Sequence, residues 1–285
     1  MKWLHGILCF VLYDDFSTCP IGTHPLLKCV DGAVFLLKSA RKVIIWNMSG
    51  REKLIALSVR MEAVAGLISA SGVLADVGTD HGYIPIAMVQ RKKVKKAIAM
   101  DLRVGPLDRA KKHIAEYGLE DWIETRLSDG VAALTPGEAD SIVVAGMGGE
   151  LVMHILSDGE AVCRSAKELI LQPQSELAEV RRYLAEKGYR IRQEDMVLDD
   201  GKYYPMMRVI PEPAEELSEI EALYGPILLR ERNPVLFAFL QKEERHFGEI
   251  LANLKGQPAS EKLEVRIGQL EHKIECNRLA QMRFV

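Results

Sequence analysis

Short apolar runs alternate along the chain with amphipathic stretches, and that rhythm predicts its elements. Leu54, Leu57, Met61, Val64, Ala65 and Ile68 share one helical face and predict a helix over Arg51–Ser69. Val73–Val77 reads as a strand and Gly82–Gln90 as a helix. The pair repeats as Lys96–Met100 and Gly105–Tyr117, and Ile123–Leu127 adds a third strand. Asp140–Ala145 carries the run Ser141-Ile142-Val143-Val144, the pattern of a strand buried on both faces. Glu150–Leu156 reads as helix, Glu168–Leu171 as a fifth strand and Glu176–Lys187 as helix. Tyr189–Leu198 and Tyr203–Ile210 predict two strands joined by a turn at Asp199-Asp200-Gly201.

Strands separated by helices pair in parallel through right-handed crossovers, so the pattern predicts an α/β doubly wound sheet. The closing strand pair adds an antiparallel edge strand, which points to a Rossmann-like class I methyltransferase sheet. Pro211-Glu212-Pro213 interrupts any continuing element. Asn233-Pro234 then offers a capping amide with proline at the first helical position. Leu236, Leu240, Phe247, Ile250 and Leu254 form one stripe, and Leu263, Ile267, Leu270 and Ile274 a second after the turn at 256–260. Together they predict a coiled-coil-like helical hairpin. Such a hairpin serves either packing and dimerisation or substrate grip. The predicted organisation is an N-terminal extension over 1–50, poorly ordered or preceding the true start at Met48 or Met61, a methyltransferase domain over 51–211 and a helical domain over 212–285.

Apolar residues make up 48% and charged ones 27% of the 285, an ordinary soluble balance. The net charge of −3 gives no overall field drawing the molecule onto nucleic acid, so an RNA partner has to be held by local basic patches. Five cysteines without a CxxC pair suggest neither a zinc site nor a disulfide framework, and reduced thiols in a cytoplasmic protein are expected. Ile7–Tyr13 is too short for an export signal and is followed at once by Asp14-Asp15. No run approaches the roughly 20 apolar residues of a membrane span.

The first strand–helix turn decides the cofactor. A dinucleotide site would show GxGxxG, whereas this chain has Asp76-Val77-Gly78-Thr79-Asp80-His81-Gly82-Tyr83. Gly78 lets the chain turn without a β-carbon beside a ligand, and Gly82 opens the helix. An acid at the strand end suits an ammonium group and repels a pyrophosphate, which favours S-adenosylmethionine. Asp101, with Leu102 beside it, ends the second strand, where an acid accepts from ribose hydroxyls. Ser128-Asp129-Gly130 follows the third strand, and Asp129 is placed to accept from an adenine amino group. Each of these acids also reads as a helix cap. Three at successive strand ends are harder to explain as independent caps. Ala145-Gly146-Met147-Gly148-Gly149 ends the fourth strand. It lacks the Asn/Asp-Pro-Pro-aromatic loop of amino methyltransferases and leaves room for a bulky acceptor, with Met147 available to pack on a base. A tight strand–helix junction explains it equally.

Asp76–Tyr83 with Ile84-Pro85, Ala145–Gly149, Leu171-Gln172-Pro173 and Asp200-Gly201-Lys202-Tyr203-Tyr204 resemble the bacterial tRNA (adenine-N1)-methyltransferase family called TrmK. The resemblance runs from about Leu57 to the hairpin, where it is one of architecture. It implies methylation of adenine 22 in tRNA by a Rossmann-like domain followed by a helical one. Adenine N1 is unprotonated at neutral pH, so no general base is required, and acceleration comes from in-line positioning in a preorganised polar site. Asp80 is a candidate to stabilise the cationic product, or else acts on the cofactor side. Gln172, Tyr204, Met147 and Gly148 are candidates for the acceptor pocket.

For tRNA phosphates, Arg60, Arg103, Arg109, Lys242 and Arg245 are placed better than the Arg91-Lys92-Lys93 run, which falls at the sheet edge away from the ligand crevice. A monomer or a weak dimer through the hairpin is expected, with neither a metal nor a membrane partner. Two other readings remain: the same cofactor with a small-molecule or protein acceptor, and an inactive RNA-binding protein on a methyltransferase fold.

Overall fold

The computed structural model describes residues 34–39, 42–47, 53–258 and 260–285. The expectation of poor order over 1–50 lies mostly outside them. Within it, β1 (Val34–Ser39) and β2 (Lys42–Asn47) pair antiparallel, and β2 pairs with β3 (Lys53–Leu54). The helix expected over Arg51–Ser69 is shorter, α1 (Val59–Leu67). Lys53–Leu54 is drawn into the small sheet, and Ser58 stops the helix by accepting from the Met61 amide, the N-cap arrangement.

The main sheet has seven strands: β4 (Val73–Val77), β5 (Lys96–Asp101), β6 (Ile123–Leu127), β7 (Ser141–Met147), β8 (Glu168–Pro173), β9 (Arg190–Asp199) and β10 (Lys202–Ile210). Their spatial order is β6-β5-β4-β7-β8-β10-β9. β4 through β8 run parallel, while β10 is antiparallel to both β8 and β9. The reversed strand of the expected pair therefore lies one place in from the edge, and β9 forms the edge itself. Helices α2 (Tyr83–Gln90), α3 (Val104–Glu116), α4 (Gly149–Asp158), α5 (Glu160–Ser165) and α6 (Leu177–Glu186) make the crossovers. Ala75, Ile98, Ile142 and Leu169 pack one face of the sheet, and Leu74, Ala97, Val143 and Ile170 pack the other. Burial on both faces is why these strands read as continuous apolar runs.

Chain order reverses between β4 and β7, with Val77 opposite Val144. Ligands of open α/β sheets bind beyond the carboxyl ends of the strands at such a switch point. The Asp76 turn and the Gly146 turn are thus neighbours by topology.

After Pro213 come α7 (Glu219–Tyr224), α8 (Pro226–Arg230), α9 (Pro234–Lys255) and α10 (Glu261–Gln281). The first two are too short to leave a periodic signature in sequence. Tyr224, Leu228, Leu236, Leu240, Cys276 and Ala280 pack with Met196 of β9, so the helices dock on the edge strand. Beneath them lies an ion pair with both side chains essentially buried. Arg181 Nε donates to Glu194 Oε1 at 2.9 Å, and Arg181 Nη1 donates to the carbonyls of Ala222 and Leu223. Glu194 accepts in turn from the amides of Ile227 and Leu228. Every polar group is paired, the condition under which such burial is tolerated.

Candidate active site

The first turn is built by backbone before any side chain acts. The amides of Gly78 and Thr79 both donate to the Met100 carbonyl of β5, at 2.8 and 2.9 Å. That folds the chain sharply, with Gly78 at φ +74° and Asp80 at φ +43°. A β-carbon on Gly78 would stand 2.3 Å from Met147 Cε, so this glycine is required both by its φ and by the close approach of the β7 loop. Asp76 is buried and accepts from Thr79 Oγ1 at 2.6 Å. Burial, opposed by the Thr79 hydrogen bond and aided by the nearby Asp101, pushes its carboxyl up to about 7.

Asp101 is also buried. Its Oδ1 accepts from the Arg103 amide at 2.9 Å, and its Oδ2 accepts no bond from the described residues. The Ser128 hydroxyl is used locally, donating to the Gly130 carbonyl and accepting from the Ala133 amide, while Asp129 projects into solvent. Ser128 therefore shapes the β6 turn. Leu102 is 62% exposed just after the end of β5.

Two separate groups of side chains flank this turn. On the α3 side, Asp80 pairs with Arg109 and lies 3.5 Å from His81 Nε2. His81, Tyr83 and His113 stack with centroids 5.0 to 5.4 Å apart, and His113 Nδ1 meets the His81 carbonyl at 3.0 Å. On the β8 side, Arg60 Nη1 donates to Gln172 Oε1 at 3.1 Å, and its guanidinium lies 5.4 Å from the Tyr204 ring centroid. The Arg60 amide is fixed by Asp199 Oδ2. A β-carbon on Gly146, at φ +80°, would come within 3.2 Å of Arg60 Nη1. Gln172 is fully buried, and its Nε2 donates to the Pro173 carbonyl.

A family model described as tRNA (adenine(22)-N(1))-methyltransferase, TrmK, matches residues 74–279. The chain belongs to the TrmK family. The Bacillus subtilis tRNA (adenine(22)-N(1))-methyltransferase is 31% identical over 226 residues, covering 77% of this chain and 94% of that protein. A Streptococcus pneumoniae relative crystallised with S-adenosyl-L-methionine aligns at TM-score 0.71 and 32% identity, over 79% of this chain and all of that one. The M. capricolum TrmK bound to S-adenosyl-homocysteine aligns at 0.71 and 26% identity, over 80% and 99%.

In this TrmK-family chain the five arginines and lysines expected on RNA fall into different places. Arg60 is turned inward onto Gln172 and Tyr204, and Arg109 is paired with Asp80. Arg103 is 80% exposed at the β5 end, Lys242 lies 5.4 Å from the Tyr203 centroid, and Arg245 is exposed on α9. The loop after β7 is tied to the loop after β8: Gln174 N donates to the Met147 carbonyl, and Gly149 N to Ser175 Oγ and Glu176 Oε2. Gln174, Ser175, Glu176, His113 and Asp199 are not among the site residues that the sequence pattern points to. The first three follow Gln172-Pro173 directly, a signal that was there to use, whereas Asp199 looks like any turn residue. A cleft of ≈ 570 Å³ runs from Gln172 and Tyr204 past Tyr203 to Phe239 and Lys242, between the sheet edge and α9.

Proposed function

We propose that this chain methylates N1 of an adenine in tRNA with S-adenosylmethionine, adenine 22 by kinship, and that the switch point between β4 and β7 is the reaction site. The observation that carries the assignment is the acid set at three successive strand ends, Asp76, Asp101 and Asp129, beside a glycine turn that a β-carbon would fill.

S-adenosylmethionine, when bound, supplies a methyl group made electrophilic by its sulfonium. The donor set fits it. Asp76 takes the ammonium, the open Oδ2 of Asp101 the ribose hydroxyls and Asp129 the adenine amino group. Gly78, Thr79, His81, Gly82, Tyr83, Leu102, Ser128, Gly130, Ala145 and Gly146 form the surrounding wall. Asp80 belongs with Arg109 and His81 on this cofactor side, which favours that role over contact with the product base.

Gln172, Tyr204, Met147 and Gly148 hold the target base, and Arg60 is a positioning residue that sets Gln172 and Tyr204. N1 carries its own lone pair, so these groups orient the base and exclude water without taking a proton. Lys242 at the cleft, Arg245 further along α9 and Arg103 at the end of β5 meet tRNA phosphates, with the base swung out at a cost of about a few kcal/mol. Residues 51–211 and 212–285 form the catalytic and helical units, the molecule works in the cytoplasm, and it is a monomer or weak dimer. Among the described residues no helix is long and apolar enough to cross a membrane.

The test is incubation with methyl-labelled S-adenosylmethionine and unmodified bacterial tRNA, followed by digestion to nucleosides. Label is expected in 1-methyladenosine and absent when adenine 22 is replaced. Label in another nucleoside, or in protein, would move the acceptor.

A further inference from the structure

We propose that Glu219, His272 and Cys276 form a three-ligand site for a zinc-type divalent cation, clasping α7 to α10 at the base of the helical hairpin. The donor atoms all lie within 4.8 Å of one another. His272 Nε2 stands 2.9 Å from Glu219 Oε1 and 3.7 Å from Cys276 Sγ. A tetrahedral zinc with bonds of about 2.0 Å to nitrogen and 2.3 Å to sulfur holds those two donors about 3.6 Å apart, so the His–Cys geometry is already set. His272 and Cys276 are one helical turn apart and project from one face. The third donor comes from a different helix, which is the arrangement that makes a clasp.

Cys276 is 3% exposed yet aims its sulfur at two exposed side chains, so its approach to solvent runs through the other donors. Thiolate, imidazole and carboxylate together select zinc over magnesium or calcium, which take oxygen donors alone. On binding, the thiol proton passes to solvent, and carboxylate plus thiolate neutralise the cation. Glu275 adds negative charge nearby and Arg182 adds positive charge. Three protein donors leave one tetrahedral position for a water. The site lies among the helices that follow Pro213, apart from the methyl-transfer residues, where a bound cation would hold α7 against α10. Spacing alone does not reveal the trio, because one ligand lies 53 residues from its partner and the cysteines lack a CxxC pair.

Cobalt reports on the site without reference to activity. The full chain, stripped with chelator, should bind one equivalent of Co²⁺ with a near-ultraviolet thiolate-to-metal band. His272→Gln, a surface change, should abolish that band, Cys276→Ser should do the same, and Glu219→Gln should weaken binding at least tenfold. Zinc should raise the Tm of the wild-type chain and leave that of His272→Gln unmoved. No band at one equivalent, a band that survives Cys276→Ser, or equal zinc shifts in wild type and His272→Gln would each overturn the proposal and leave a simple His–Glu ion pair.

Discussion

Asp76 sits at about 7 in the free protein because burial opposes its charge. A ligand ammonium beside it requires the ionised form, so cofactor binding should release a proton wherever the free carboxyl is still neutral. For one such group the affinity scales as 1/(1 + 10^(7 − pH)), which predicts about an eightfold gain between roughly pH 6 and pH 7.5. Above about pH 8 the ligand's own α-amino group loses its proton, and affinity should fall again. The folded state shows the opposite trend. A carboxyl raised from 3.8 to about 7 stabilises the fold fully below pH 3.8, and that contribution is lost as pH rises toward 7, with an upper bound of about 4 kcal/mol. Asp76→Asn should therefore raise Tm at pH 8 while weakening the cofactor and erasing the acid limb. Calorimetry with S-adenosylhomocysteine in two buffers of different ionisation enthalpy measures both affinity and protons released. A flat profile between pH 6 and 7.5, or an acid limb that survives in Asp76→Asn, would refute the assignment of the ammonium to Asp76.

Asp101→Ala removes the acceptor proposed for the ribose and should cost about 1.5–3 kcal/mol of cofactor affinity by calorimetry, with Tm little changed. Gly78→Ala forces a β-carbon onto Met147 at φ +74° and should destabilise by about 1–3 kcal/mol in denaturant melts while weakening the cofactor further. Arg60→Met should lower kcat at least tenfold and change S-adenosylhomocysteine affinity much less, since the guanidinium bonds Gln172 and lies on Tyr204 and nears the cofactor wall only at Gly146. Charge reversal at Lys242 and Arg245 together should weaken tRNA binding and reduce the magnitude of its salt slope by about two units.

The strands were legible because burial on both faces leaves uninterrupted apolar runs, and Ile142-Val143-Val144 shows it most clearly. The acids at the strand ends were legible for a related reason. Chain order in a doubly wound sheet fixes which turns meet, so Asp76, Asp101 and Asp129 group together from the sequence alone. What escaped depends on pairings that sequence spacing does not encode. Arg60 reads as one more surface cation, yet it lies on Gln172 and Tyr204 because α1 packs across β9 and β10. The place of β10 inside the sheet escaped too, since a hairpin reads the same whichever of its strands meets β8.

The pair Arg181–Glu194 shows how far the two halves of the molecule can be treated as separable. On sequence alone, cutting after Pro213 removes a helical appendage and leaves a complete sheet domain. In the structure that cut deletes the carbonyls of Ala222 and Leu223 and the amides of Ile227 and Leu228, leaving the arginine and the glutamate each without two of its three partners. It also uncovers Met196 on the edge strand. Each hydrogen bond lost from a buried charged group costs about 1.5–3 kcal/mol, so together they take a large share of the roughly 5–15 kcal/mol that holds an ordinary domain. Loss of tRNA binding in such a truncation would therefore report unfolding as readily as loss of a grip. The informative cut keeps α7, α8 and the bases of α9 and α10 and replaces only residues 245–269 with a short turn. If that shortened chain binds cofactor and melts as before but loses tRNA affinity, the arm is a substrate grip. If tRNA affinity is unchanged, the arm serves packing alone, and the RNA contacts lie on the sheet side of the cleft.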